Sequence, residues 1–331
     1  MHILLVNNTR IPALQYGGTE RVIWWLGKAL VQAGHQVSYM VAPGSHCDFA
    51  PVYVFEPEKP FAAQVPMDKG IDLIHLNHMV NEAPPLPFIM TMHGNTNIQF
   101  PLYRNTVFVS RNHAARFGSD SFVYNGIDPA DYGDPMLDHP RRYVHFLGDA
   151  AWRVKNVRGA MRIARLAGVP LHVIGGVRFN VNQGIRLTFD PRIHFHGMQG
   201  GEAKNRLLRD SGGMIFPVRW HEPFGLAIVE SLYFGCPVFA TPYGSLPELV
   251  PPTVGLLATA ASTLAEAVRN RDSYSRQLCH DWVMDQFTAQ HMMRAYVKAY
   301  EKVLNGHTLN AREPVLQEVP AEKFLAFDAE E

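Results

Sequence analysis

"GMIFPVRWHEPFGLAIVESLYFGCPVFAT", residues 213–241, reads as a strand, a turn, a helix and a second strand. The runs "GMIFPV" (213–218) and "CPVFAT" (236–241) are short, apolar and rich in β-formers, and residues 224–234 between them are apolar over a helical length. A strand returning through a helix to another strand is the unit that builds a parallel sheet. Two carboxylates bracket the Pro-Phe-Gly turn: Glu222 stands at the end of the first strand and Glu230 falls inside the helix.

The same alternation extends in both directions. Upstream, "YVHFLG" (143–148) is a strand, 156–167 a helix, "LHVIGG" (171–176) and "IHFHG" (193–197) are strands, and 202–210 is a helix. The opening of the chain repeats the unit: "HILLVNN", then "GGTE", then Val22, Trp25, Leu26, Ala29, Leu30 and Ala33 at helical spacing, with Gly34 stopping the helix before "HQVSYMVAP". Further strands are expected at "IDLIHL", "FIMTMHG", "TVFVS" and "SFVYNG". A Pro-, Gly- and Asp-rich stretch around 128–142 reads as a linker. The fold expected is α/β, two doubly wound Rossmann-like domains with the carboxyl ends of their sheets around a central cleft. The domains would be 1–140 and 141–287, with a helix over about 288–304 joining the first and 305–331 a loosely ordered acidic tail.

Composition limits the function. The chain of 331 residues is 47% hydrophobic, enough to fill two cores. Its 30 Lys and Arg balance 30 Asp and Glu, so it lacks the basic field that nucleic acid demands. The cysteines Cys47, Cys236 and Cys279 match neither a disulfide framework nor a zinc site. The first residues carry no signal-peptide pattern and no apolar run reaches membrane-spanning length, so a cytoplasmic location is expected. For a peripheral membrane contact the only support is a helix face carrying Arg158, Arg162 and Arg165.

The chemistry gathers at the strand ends of the second domain. Gly225 opens a helix, so backbone N–H groups at Phe224, Gly225 and Leu226 would attract an anion. A carboxylate beside an anion site suits a ligand with a hydroxyl-rich part and an anionic part, because a carboxylate accepts from vicinal hydroxyls. The loop after the domain's first strand carries Gly148, Arg153 and Lys155, a guanidinium and an ammonium that could hold a diphosphate. Structural readings compete: Glu222 as a helix cap, Glu230 as a solvated helix residue, and the two cations as loop charges.

Residues 197–249, with "EPFGLAIVE" and "GCPV" at their centre, closely resemble the donor-binding segment of retaining glycosyltransferases of the GT-B fold, the large group called family four. The likeness extends through "YGGTERVIWWLGKALVQAGHQV" and "VYNGID", over about residues 1–304. It implies transfer of a sugar from a nucleoside-diphosphate sugar to a carbohydrate or other hydroxyl acceptor, with retention and without a metal or a separate cofactor. It implies that Glu230 binds the ribose and that Glu222 sits by the transferred sugar. Arg153 and Lys155 would then stabilise the departing diphosphate, with Gly148 and the helix start at Phe224–Leu226 on the donor. On the first domain, Gly17 and Gly18 would let backbone approach the ligand, and His93 matches a histidine placed near the donor sugar. One departure stands out: where the family has Gly-Arg, this chain has Gly148-Asp149, with Arg153 two residues before Lys155 in a loop about one residue longer. Asp149 is expected to turn away or to bind a donor-sugar or backbone group. The pairs His75/His78 and His194/His196 read as structural rather than metal-binding. Two rival readings remain at this point: a phosphorylase or nucleotide-sugar processing enzyme on the same fold, and a non-catalytic nucleotide-sugar binding protein.

Overall fold

The computed structural model describes residues 1–13, 17–180, 186–319 and 321–327. The chain divides into two compact units, residues 1–128 with 288–320, and 129–287 with 321–331. In the first, six parallel strands, β1 (His2–Val6), β2 (Gln36–Val41), β3 (Val52–Val54), β4 (Leu73–Leu76), β5 (Phe88–Met92) and β6 (Thr106–Phe108), lie in the order β3-β2-β1-β4-β5-β6. Helices α1 (Gly18–Gln32), α2 (Phe61–Gln64) and α3 (Arg111–Arg116) belong to this unit. Ile3, Leu4, Leu5 and Val6 are fully buried, as a strand covered on both faces requires.

The second unit repeats the topology. Its sheet contains β7 (Tyr143–Leu147), β8 (Leu171–Ile174), β11 (Ile193–Phe195), β12 (Ser211–Phe216), β13 (Val238–Ala240) and β14 (Gly255–Leu257), and a separate hairpin pairs β9 (Phe179–Asn180) with β10 (Arg186–Leu187). The order is β11-β8-β7-β12-β13-β14, again parallel throughout. Its helices are α4 (Val157–Ala167), α5 (Gly201–Arg209), α6 (Leu226–Tyr233), α7 (Leu246–Leu249), α8 (Ala261–Arg269) and α9 (Arg276–Gln286). The chain then returns through α10 (Ala289–Leu304), which packs on α1 in the first unit. Counting strands in sequence within each sheet, both follow the 3-2-1-4-5-6 order of the doubly wound nucleotide-binding fold. The α/β fold expected from the sequence is therefore present in both units.

Three expectations need correction. "SFVYNG" is not a strand: it makes a single bridge, Phe122 to Phe108. Phe122 instead lies beside Tyr124 at 5.2 Å with the Arg111 guanidinium 5.6 Å over its ring, so the aromatic alternation serves a half-buried cluster. The boundary falls at Asp128 rather than at 140, because the supposed linker is fastened to the second unit. Tyr132 is 2% exposed, Asn205 and Arg209 donate to its carbonyl, and Arg276 donates to the carbonyls of Leu137 and His139. The tail is not loosely ordered over its described residues. Leu316 is buried in the first unit, where Leu102 donates to Pro314 O and Val315 donates to Phe117 O. Residues 321–327 belong to the second unit and are anchored there by Phe327. Scattered apolar residues in an acidic segment give no periodic signal, yet each can fill a separate socket. Among the described residues no helix is long and apolar enough to cross a membrane.

Candidate active site

In an open parallel sheet ligands bind outside the carboxyl ends of the strands, where the order reverses. In the second unit that point lies between β7 and β12. The loop leaving β7 begins at Gly148, with φ +149°, and runs against the end of β8: Gly148 donates to Ile174 O at 3.0 Å and Ala150 to Gly175 O at 2.8 Å. A Cβ on Gly175 would lie 2.2 Å from the Gly148 carbonyl oxygen, which explains one of the glycines of "VIGG" as a close backbone approach. Asp149 accepts from the Ala151 N–H at 2.8 Å, so its side chain binds its own backbone.

A single 3-10 turn, Arg153–Lys155, follows. Asn156, in the left-handed region at φ 55°, then redirects the chain into α4, caps it by accepting from Gly159 N–H at 3.0 Å, and donates to Pro217 O at 2.9 Å. Arg219 N–H donates to Val154 O at 2.7 Å. The loop after β7 is thus fastened to the segment leaving β12, and this brings Lys155 to Glu222.

Lys155 Nζ and Glu222 Oε2 are 2.7 Å apart, with both side chains largely withdrawn from solvent. Trp220 Nε1 donates to the same oxygen at 2.9 Å. Lys155 Nζ also lies over the rings of Trp220 (4.9 Å) and Phe216 (5.2 Å), a placement that favours a cation. Both contacts to Glu222 fall on Oε2; among the described residues Oε1 accepts no hydrogen bond from the protein. The Glu222 backbone is held from the other side by Gly244 and by Ser245 N–H, which donates to its carbonyl at 3.0 Å. A Cβ on Gly244 would lie 2.3 Å from Glu222 N and O.

Glu230 lies deeper, 2% exposed on α6. Its Oε1 accepts from Lys204 Nζ and, at 2.7 Å, from the Tyr132 hydroxyl. Lys204 is itself 5% exposed and sits 4.9 Å over the Tyr132 ring. A carboxylate this buried requires a paired cation, since an isolated buried charge is costly. The sequence reading missed Lys204, Tyr132 and Trp220. Within "GEAKNRLLRD" a lysine reads as one more solvated charge, and nothing local shows that α5 turns it inward.

Arg153 is exposed, with its guanidinium 4.9 Å over the ring of Phe324. Gly225 caps α6 in the left-handed region at φ 95°, and the first N–H groups of a helix have no intrahelical acceptor. The Phe224 side chain is buried, 6.0 Å from the Phe287 ring, so only its backbone can serve a ligand.

The remaining expected residues belong to the first unit. Gly17, at φ 124°, precedes α1, which begins at Gly18. Thr19 and Glu20 of that helix line a cavity of about 520 Å³ together with Asn7, Asn77, His78 and His93. His93 Nε2 pairs with Asn77 Oδ1 at 2.8 Å, and burial pushes its pKa down to about 4. His75 is engaged by Thr91 (2.7 Å) and Tyr300 (2.8 Å), and burial lowers it to about 3. His196 lies 3.0 Å from His172, whose ring stacks on Tyr143. Among the described residues no group of three or more His, Cys, Asp or Glu is arranged to hold a metal.

Residues 139–271 match the model of the family described as glycosyl transferases group 1. A 148-residue stretch, 43% of this chain, is 27% identical to an uncharacterized 41.2 kDa protein in the cps region of Klebsiella pneumoniae, and the match spans 40% of that relative's length. Among solved structures, AviGT4, a glycosyltransferase involved in avilamycin A biosynthesis, is 22% identical with a TM-score of 0.75, over 93% of this chain and 99% of that one. HepE of Anabaena, solved in complex with UDP and glucose, is 15% identical with a TM-score of 0.64, over 91% and 100% of the two chains. The fold is that of the GT-B glycosyltransferases, and the family match lies within the second unit.

Proposed function

We propose that the protein is a retaining glycosyltransferase that moves a sugar from a nucleoside-diphosphate sugar to an acceptor hydroxyl. The observation that carries this reading is the Lys155–Glu222 pair at the β7/β12 reversal, 2.7 Å apart on a scaffold that matches group 1 glycosyltransferases. HepE has been solved with UDP and with UDP-glucose, which supports a nucleotide-sugar as donor.

In this reading Oε1 of Glu222 accepts from a hydroxyl of the transferred sugar, while Trp220 holds Oε2. Lys155, Arg153 and the start of α6 face the diphosphate, whose charge grows as the bond to the anomeric carbon breaks. The acceptor oxygen bonds to that carbon on the face the phosphate leaves, and its proton passes to the departing phosphate oxygen. Glu230, fixed by Lys204 and Tyr132, binds the ribose hydroxyls. The amide, hydroxyl, imidazole and Glu20 carboxylate groups that line the first unit's cavity, His93 included, suit the hydroxyls of an acceptor.

The test is direct. UDP, GDP and ADP are each screened for a rise in melting temperature, since a ligand that binds only the folded state stabilises it. The matching nucleotide-sugars are then incubated with an acceptor panel. Nucleoside diphosphate released only with acceptor, and an unchanged anomeric configuration in the product, are the expected results. Release without acceptor would favour a nucleotide-sugar processing enzyme. Tight donor binding with no turnover across the panel would favour the binding protein.

A further inference from the structure

Phe324, Leu325 and Ala326 between them touch the three loops that leave the carboxyl ends of β7, β12 and β13. Against the first, Phe324 lies under the Arg153 guanidinium at 4.9 Å. Against the second, Leu325 N–H donates to Arg219 O at 2.9 Å, Arg219 Nε donates to Leu325 O at 2.8 Å, and the Arg219 guanidinium lies 5.2 Å from the Phe324 ring. Against the third, the Tyr243 hydroxyl donates to Ala326 O, one residue before the Gly244 that grips Glu222. Phe327 closes the segment: it is 7% exposed, and a Cβ on Gly159 in the first turn of α4 would meet its ring at 2.8 Å.

We propose that this C-terminal segment is a positioning strap for the donor site, with Phe324 the residue that aims Arg153. The inference rests on the donor reading above and adds a part to it. A cation resting on an aromatic ring spends none of its N–H donors in conventional hydrogen bonds, so the guanidinium keeps its fork for phosphate oxygens while its swing is restricted. Ordering the long side chain beforehand removes part of the entropy that diphosphate binding would otherwise cost. The strap also explains how an arginine displaced from the family's usual position remains directed at one place: the anchor comes from beyond the last helix, and the local loop need not supply it.

The experiment uses the full chain with Phe324→Ala, Phe324→Tyr, Arg153→Ala and the double variant Arg153→Ala/Phe324→Ala. Affinities for UDP, GDP and ADP and the matching monophosphates are measured by calorimetry. Phe324→Ala is expected to weaken the preferred diphosphate roughly three- to tenfold and to leave the monophosphate unchanged. Phe324→Tyr should restore affinity, and the double variant should bind no worse than Arg153→Ala alone. Wild-type diphosphate affinity in Phe324→Ala, or additive losses in the double variant, would overturn the proposal. A wild-type protein that binds none of these nucleotides would instead sink the donor reading. The strap is then judged by amide exchange. Faster exchange at 152–156 and 217–222 in Phe324→Ala, with β12 still protected, supports it, and unchanged exchange refutes it.

Discussion

The two sheets share one strand order and differ in what their reversal points carry. Beside β1 and β4 the first unit presents mostly uncharged polar side chains, Asn7, Asn8, Thr9, Asn77 and His78, with Glu20 a carboxylate in the same lining. Between β7 and β12 the second presents Lys155 against Glu222, with the Lys204–Glu230 pair buried behind them. Each sheet also has a buried histidine bound on both ring nitrogens by hydroxyls: His75 by Tyr300 and Thr91, His145 by Ser211 and Ser231. Identical topology therefore fixes where a ligand can sit, while the loops decide whether the site meets hydroxyls or phosphate charge.

The sharpest break should come at the buried pair. Lys204→Met takes the cation away from Glu230, which is 2% exposed, and removing one partner of such a pair costs about 3–5 kcal/mol. Hydrogen exchange, read unit by unit, should show the second unit destabilised and the first unaffected. An equal loss in both would refute the separation. Glu222→Gln removes the carboxylate from the second reversal point and leaves the Lys155 cation in place. It should lower turnover by about 10²–10³ while nucleoside-diphosphate affinity changes little; an equal fall in affinity would move Glu222 to the nucleotide side. Asn77→Ala in the first unit should leave nucleotide affinity at the wild-type level.

The histidines test what the sheets have in common. Burial holds His75 and His145 down to about 3, against an ordinary value near 6.5. Below about 6.5 the unfolded chain takes up protons that the folded chain refuses, so stability is fully present above that pH and is lost as pH falls toward 3. Each should cost about 2 kcal/mol between pH 7.5 and pH 5. His75→Asn should lessen the pH dependence of the first unit, where burial also holds His93 and His113 down, and His145→Asn that of the second, where it also holds His172 down, in denaturation followed by exchange. A slope unchanged by both substitutions would assign it elsewhere. The smallest effect is expected at Asp149→Ala, which removes only the bond to Ala151 N–H and should cost about 1 kcal/mol. A gain in diphosphate affinity in that variant would show that Asp149 repels the ligand.

Much of the fold was legible because both sheets are buried on two faces, and such strands print as apolar runs between Gly, Asn and Ser. Of the four edge strands, each three residues long, β6 and β11 were read and β3 and β14 were not. At the site, Glu222, Glu230 and Lys155 were visible because the turn and the helix start mark their place. Lys204, Tyr132 and Phe324 were not, since each acts on a residue far away in sequence: Lys204 on Glu230, Tyr132 on Glu230, and Phe324 on Arg153.

The sequence alone determined the repeating strand–helix units, the helix start at Gly225 and the two glutamates beside it, because periodicity, a flexible glycine and residue type act over a few positions. Only the tertiary structure decided which charges meet. The Lys155–Glu222 contact depends on Asn156 tying its loop to Pro217, Glu230 depends on α5 turning a lysine inward, and Arg153 depends on a phenylalanine beyond the last helix. Pairing of this kind follows from burial and from the geometry of packed loops, and neither is written in the neighbouring residues.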